Sequence, residues 1–236
     1  MTEPLPSLAV VIPAAGTGKR MLSEVPKQYL TLNGLTVIEQ TINKFIELPF
    51  VHSIILALSA DDTVFSTLSI AHHPKVKTVI GGKERADSVL SGIRFASELD
   101  LSWVMVHDAA RPCVLERDII ELYHQCVAQQ SAGILAVRVK DTMKRAKPDS
   151  VSVDHTVPRT DLWHALTPQC SDIKSLETAL VSQLQDGLVN SAVTDEASAL
   201  ELNNKRVLLV ASSARNIKIT EPDDLELAQL FLQSEE

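Results

Sequence analysis

The apolar run Leu8–Ile12 breaks into a loop with two glycines and two adjacent cations: the chain reads LAVVIPAAGTGKRM, and PKQYL follows. Gly16 and Gly18 let the backbone approach a phosphate closely and offer its N–H groups to it, while Arg20 and Lys27 add mobile positive charge. Two familiar phosphate loops are excluded. A Walker A loop needs GxxxxGK followed by Ser or Thr, but Pro13 stands at the first glycine and Arg20 follows Lys19. A dinucleotide fingerprint needs GxGxxG, and Met21 occupies the third glycine position. What remains is a phosphate cradle or, more simply, a tight strand-to-helix turn with surface cations.

Two later segments carry related chemistry. In GGKERADS, Gly81 and Gly82 permit another close backbone approach, and Asp87 and Ser88 fall on the helix that follows, where they also suit an ordinary helix start. In HDAARP, Asp108 ends an apolar run, where a lone carboxylate can hold a divalent cation that bridges phosphate oxygens or can simply pair with Arg111. No further histidine is spaced as a ligand to accompany His107, which reads as structural. TDEAS opens a helix, with Thr194 as the expected cap and the two acids favourable at the helix N-terminus.

The elements that must position these residues follow from periodicity. Strands are expected at Leu8–Ile12, Ser53–Leu58, Lys77–Ile80, Trp103–Val106, Ile134–Val139, Val207–Val210 and Ile217–Ile219. Helices are expected at Val37–Leu48, Arg85–Leu99, Glu116–Gln129, Ile173–Leu184, Glu196–Leu202 and Asp223–Leu232. This alternation predicts an α/β fold of Rossmann-like type, a mostly parallel twisted sheet covered by helices on both faces. Ligands in such sheets gather at the carboxyl ends of the strands, where PAAGTGKRM, GGKERADS and HDAARP all fall. The polar stretch Asp141–Arg159, with two prolines and short alternation near Val151–Val157, resists this pattern. It reads as a projecting arm (141–160) on a single domain spanning 1–236, suited to contact a partner subunit.

Composition narrows the classes. A 45% hydrophobic and 22% charged chain without low-complexity tracts is expected to fold and bury a core. A net charge of −8 argues against a nucleic-acid binder, so an anionic ligand must be drawn by local cations. No apolar run approaches the roughly 20 residues needed to span a bilayer, and MTEPLPSL lacks a secretory pattern, so no membrane association and a cytoplasmic location are expected. Cys113, Cys126 and Cys170 are widely spaced without a CxxC pair and read as reduced packing residues.

Taken in order, PAAGTGKRM, PKQYL, GGKERADSVLSGI, VHDAARP, DTMKR, LWHALTPQ, TDEASALE and NIKIT resemble the 2-C-methyl-D-erythritol 4-phosphate cytidylyltransferase family over nearly the whole chain. The resemblance implies transfer of a cytidylyl group from CTP to 2-C-methyl-D-erythritol 4-phosphate with release of pyrophosphate, magnesium (Mg2+) as cofactor, and a homodimer in which the arms clasp. It implies that Arg20 and Lys27 stabilise the transition state and that Gly16 and Gly18 cradle the triphosphate. Asp108 would help to hold the magnesium, Ala14, Ala15, Gly82 and Ser88 would read cytosine, and Ala109 would lie near the ribose. Arg159 and Lys218 would position the attacking phosphate, with Arg111, Thr142, Thr167 and Thr194 contacting the same substrate, and Arg111, Thr142 and Arg159 acting across the dimer. One departure is Lys83, where the family often carries an acidic residue after the Gly-Gly pair; it bears on ribose contacts or CTP affinity. Two other readings stay open here: a cytidylyltransferase for another polyol phosphate such as ribitol 5-phosphate, and a non-catalytic nucleotide-binding module.

Overall fold

The computed structural model describes residues 5–16, 25–185, 188–190 and 193–234. The chain begins with β1 (Leu8–Pro13), a tight hairpin of β2 (Thr31–Leu32) and β3 (Leu35–Thr36), and α1 (Val37–Ile46). It continues through β4 (Val51–Leu58), β5 (Val76–Ile80), α2 (Arg85–Ser97), β6 (Trp103–Val106), α3 (Glu116–Gln129) and β7 (Ala132–Arg138). Then come β8 (Met143–Ala146), β9 (Val153–Val157), β10 (Trp163–Asp172), α4 (Ile173–Ser182), the short pair β11 (Leu184–Gln185) and β12 (Leu188–Val189), α5 (Glu196–Leu202), β13 (Val207–Ala211) and α6 (Pro222–Gln233).

Seven strands form the main sheet in the order β13-β7-β10-β6-β1-β4-β5. Side chains alternate across β1, which fixes the two helical layers. Leu8, Val10 and Ile12 pack with Ile38, Ile42 and Phe45 of α1 and Tyr123 of α3, while Ala9 and Val11 face Val89 and Ile93 of α2 and Leu176 and Leu180 of α4. α1 starts where it does because Thr36 and Glu39 close a reciprocal cap, each side chain taking the other residue's backbone N–H. The chain lays β4 and β5 on one side of β1 and returns through α2 to place β6 on the other, so the sheet's growth reverses at β1. The crevice beyond such a reversal is where open α/β sheets bind ligands.

Three expectations need correction. β10 was not among the expected strands, yet it lies inside the sheet, antiparallel to both β6 and β7. It tolerates Pro168 because its register with β7 breaks between Ala165 and Gln169, the kind of position where a missing N–H does no harm. Second, Ile217–Ile219 is extended but forms no strand. Its neighbour is the HDAARP loop, and it is held by single bonds: Ile219 N–H to Ala110 O at 2.8 Å, Arg111 Nη1 to Asn216 O at 2.8 Å, and Lys27 Nζ to Ile219 O at 2.8 Å. Third, Asp195 rather than Thr194 caps α5, its carboxylate accepting from Ser198 N–H, while the Ser198 hydroxyl accepts the N–H groups of Thr194 and Asp195.

β8 and β9 pair as an antiparallel hairpin separate from the main sheet, within the stretch 141–160. Its residues are exposed almost throughout, Val151 and Val153 among them. All three cysteines are free and buried, as their spacing suggested. Among the described residues no helix is long and apolar enough to cross a membrane.

Candidate functional site

The carboxyl ends of β1, β5 and β6 open onto a cavity of about 380 Å3. Its walls bring together Ala14, Ala15, Gly16, Lys27, Gly82, Ser88, Asp108, Ala109 and Lys218, all picked out from the sequence. They are joined by Gln28, Lys83, Glu84, Arg85 and Thr220, of which only Lys83 had drawn notice. Gly18 and Arg20 lie outside the described residues.

The first wall is shaped by Gln28. Buried in the short helical turn Lys27–Tyr29, its side-chain amide donates to Ala14 O at 3.0 Å and Gly16 O at 3.3 Å. Because a trans peptide sets C=O and the next N–H on opposite sides, holding the Ala14 carbonyl on Gln28 turns the Ala15 N–H the other way. The same turn is anchored by Tyr29, whose hydroxyl donates to Asp62 at 2.5 Å, and it carries Lys27. Among the described residues, a Cβ at Gly16 would meet nothing within 4 Å, so their packing leaves space there.

Packing explains the second glycine pair. A Cβ at Gly82 would lie 2.2 Å from Asp87 Cβ, and one at Gly81 would lie 2.7 Å from Ala15 Cβ. The Ser88 hydroxyl accepts the Gly82 N–H at 3.0 Å and so folds the loop back onto α2. Asp87 accepts the N–H of Glu84 at 3.0 Å and that of Val189 at 2.7 Å, which locks the helix start to β12.

Charge converges on Asp108. Its Oδ1 pairs with Arg85 Nε at 3.0 Å, and its Oδ2 with Lys218 Nζ at 2.9 Å and Arg111 Nε at 3.3 Å. Burial alone would raise the pKa of this carboxyl, but the charges of Arg85, Lys218 and Arg111 outweigh it and hold it far below the usual carboxylate range. Arg85 also grips Glu196, Nη1 to Oε1 at 2.7 Å and Nη2 to Oε2 at 3.2 Å. Burial works against the Arg85 charge, yet Glu196 and Asp108 raise its pKa above the ordinary arginine value.

Behind Asp108 stands a buried neutral pair. His107 Nε2 lies 3.1 Å from Arg111 O, which can only accept, so Nε2 carries the proton and Nδ1 accepts from the Thr167 hydroxyl at 3.0 Å. Thr167 Oγ1 in turn accepts the Asp108 N–H at 3.0 Å. Burial pushes the His107 pKa down to about 4, which keeps the ring neutral. Thr167 is therefore placed beneath the cavity as a support for Asp108 rather than in its wall.

The remaining acceptor-side residues are not drawn together. Arg111 reaches Asp108 from behind and bonds Asn216 O. Thr142 and Arg159 are exposed at the foot of the arm, where Arg159 bonds Lys140 O, and Thr194 is exposed before α5.

As for a metal, no group of three or more His, Cys, Asp and Glu among the described residues could enclose one. Glu84 lines the cavity but its carboxylate caps α2, which leaves Asp108 as the hard oxygen donor there. A single carboxylate fits magnesium, which is commonly held by one or two carboxylates plus substrate phosphates.

A family model described as IspD, 2-C-methyl-D-erythritol 4-phosphate cytidylyltransferase, matches residues 8–234. Curated proteins of that name are similar along their whole length: one from Vibrio vulnificus strain CMCP6 is 48% identical over 100% of this chain and 98% of its own, and one from Vibrio parahaemolyticus is 50% identical over 100% and 99%. The crystal structure of the Francisella tularensis 2-C-methyl-D-erythritol 4-phosphate cytidylyltransferase superposes with a TM-score of 0.78 at 38% identity, covering 95% of this chain and 99% of that one.

Proposed function

The chain belongs to the 2-C-methyl-D-erythritol 4-phosphate cytidylyltransferase family, and on that premise we propose that it joins CTP to 2-C-methyl-D-erythritol 4-phosphate, giving 4-diphosphocytidyl-2-C-methyl-D-erythritol and pyrophosphate. The observation that carries this reading is the convergence of Arg85, Arg111 and Lys218 on Asp108, at a cavity also lined by Lys27 and bounded by the backbone of Ala14–Gly16 and Gly82.

The chemistry asks for such a site. A phosphate monoester has a second pKa near 6, so the acceptor is already largely dianionic at neutral pH and no general base is needed. The barrier lies in bringing that dianion to the α-phosphate of an anionic triphosphate and in stabilising charge as the leaving pyrophosphate separates. Lys27 suits the triphosphate and the leaving group, and the family resemblance gives Arg20 and the glycine-loop N–H groups the same task. The Ala15 N–H, turned away from Gln28, and the Gly82 carbonyl suit the cytosine edge, with Ala14 and Ser88 holding the two loops in place, and Ala109 adjoins the ribose. Lys218 and Arg111 suit the acceptor phosphate, Arg159, Thr142 and Thr194 its far side, and Thr167 supports Asp108 from below. Asp108 would hold magnesium, which when bound neutralises charge on the triphosphate.

In the same reading the protein works as a homodimer in the cytoplasm. An isolated two-stranded hairpin is marginal in water, and the exposed β8–β9 arm gains stability by packing on a second copy. The test of function is magnesium-dependent pyrophosphate release from CTP, with 2-C-methyl-D-erythritol 4-phosphate, ribitol 5-phosphate or no acceptor, and with UTP as control. Release confined to CTP with the methylerythritol phosphate is the expected result; preference for ribitol phosphate, or no release, overturns it.

A further inference from the structure

We propose that Arg85, pinned by Glu196, is a positioning residue that fixes Asp108 and leaves Lys218 as the exchangeable counter-ion of that carboxylate. The inference rests on the functional reading above.

The three cations around Asp108 are held in different ways. Arg85 presents its fork to both oxygens of Glu196, at 2.7 and 3.2 Å, and gives its third donor to Asp108 Oδ1 at 3.0 Å. Such two-point pairing fixes direction as well as charge. Glu196 is 3% exposed, and among the described residues its carboxylate has no other partner, so movement of Arg85 would leave a buried acid uncompensated. Glu196 is itself fixed by β10: the Gln169 side chain donates to Asp195 Oδ2 at 2.9 Å and accepts the Ala197 N–H at 2.8 Å, clamping the residues on either side. Arg111 is tied to Asn216 O as well as to Asp108.

Lys218 differs. Its side chain is 37% exposed, and its ammonium pairs with Asp108 Oδ2 at 2.9 Å. Counting charges, Arg85, Arg111 and Lys218 face Asp108 and Glu196, three cations against two carboxylates. If Lys218 leaves for an incoming phosphate, two cations and two acids remain in balance. Arg85 and Glu196 thus keep Asp108 in place while Lys218 is free to follow the substrate.

The test compares the wild type with Glu196→Gln, Arg85→Lys, Arg85→Met, and the double variant Arg85→Met with Glu196→Leu. Steady-state kinetics of pyrophosphate release, calorimetric CTP binding without acceptor, and thermal melting are read in parallel. Glu196→Gln is expected to lower kcat roughly tenfold or more while CTP affinity changes less than about threefold. Arg85→Lys, which keeps charge but loses the fork, does not restore kcat. The double variant, which leaves no unpaired buried acid, regains melting temperature relative to Arg85→Met yet keeps the low kcat; a purely structural pair would recover both. Wild-type kcat in the folded double variant or in Glu196→Gln, or restoration by Arg85→Lys, overturns the inference alone. A wild type that transfers to no methylerythritol phosphate overturns the functional reading, and this inference with it.

Discussion

Lys218 Nζ stands 2.9 Å from Asp108 Oδ2. Lys218 comes from the extended segment before α6, and Asp108 from the loop after β6, so one ion pair ties the part of the site assigned to the acceptor to the part assigned to the nucleotide. Asp108→Asn keeps the size of the side chain and removes the charge on which Arg85, Arg111 and Lys218 converge. Turnover is expected to fall by roughly two orders of magnitude, since a charged network that acts as a unit fails as one. Magnesium titrations of the initial rate provide the check: the variant should need far more metal, and an unchanged magnesium dependence would count against a metal role for Asp108.

Lys27 rides on a turn anchored by the Tyr29 to Asp62 bond and by Gln28 on the glycine loop. Lys27→Ala is expected to lower kcat by about 100-fold or more with a much smaller loss of CTP affinity, because the charge matters most as pyrophosphate departs. Calorimetry and initial rates on the same preparation separate the two. Equal losses would make Lys27 a binding residue.

The glycines of the two loops should respond oppositely to alanine. Gly82→Ala places a Cβ 2.2 Å from Asp87 Cβ, whose carboxylate is fixed by the N–H groups of Glu84 in the same loop and of Val189 in β12. It should destabilise the fold by about 1–3 kcal/mol, the usual range for overpacking. Gly16→Ala meets nothing within 4 Å among the described residues, so the melting temperature should hold while CTP binding weakens by roughly tenfold from lost room in the cavity. Thermal melts with and without CTP distinguish the cases, and a Gly16→Ala protein with full CTP affinity would show that ligand does not approach there.

Acid should loosen the site from below. Burial holds His107 at about 4 instead of its ordinary 6.5. An unfolded chain takes up that proton as pH falls through the ordinary value, whereas the folded one resists until near the lower value. The corresponding stability is present in full above about 6.5 and is lost as pH falls toward 4. Asp108 acts in the same direction at lower pH, its carboxyl being held down, against burial, by Arg85, Lys218 and Arg111. Urea midpoints measured from neutral pH downward should therefore decline across this window. His107→Gln, neutral throughout, should start lower and decline less steeply; a wild-type midpoint that rises on acidification would contradict this account.

The sheet was legible where strands were short, apolar and buried on both faces, as in β1, β4 and β6. β10 was not, because Trp163–Pro168 mixes His, Thr and Pro with apolar residues and because an antiparallel strand breaks the expected alternation. Ile217–Ile219 misled in the opposite sense: alternation alone cannot tell a strand from an extended segment pinned to a loop by lysine and arginine side chains. In the site, glycines and a carboxylate at strand ends stood out by residue type. Arg85 and Glu196 did not, since each reads as an ordinary charge in the first turn of a helix, and only the fold brings together residues 111 apart in sequence. Gln28 was likewise silent, because its role is to hold two backbone carbonyls.

The place of β10 has a consequence for the order in which the molecule is made. It sits between β6 and β7 although it follows both in the chain, and β13, later still, closes the far edge against β7. A nascent polypeptide leaving the ribosome can pair β1 with β4 and β6 early, but β7 has no place beside them until β10 has emerged and slipped in between. Thr167 lies on that inserted strand, Gln169 clamps α5 from it, and Lys218 arrives afterwards. Asp108, made before all of them, waits for its supports, and the chemistry of the site is complete only once the segment carrying Lys218 has joined it.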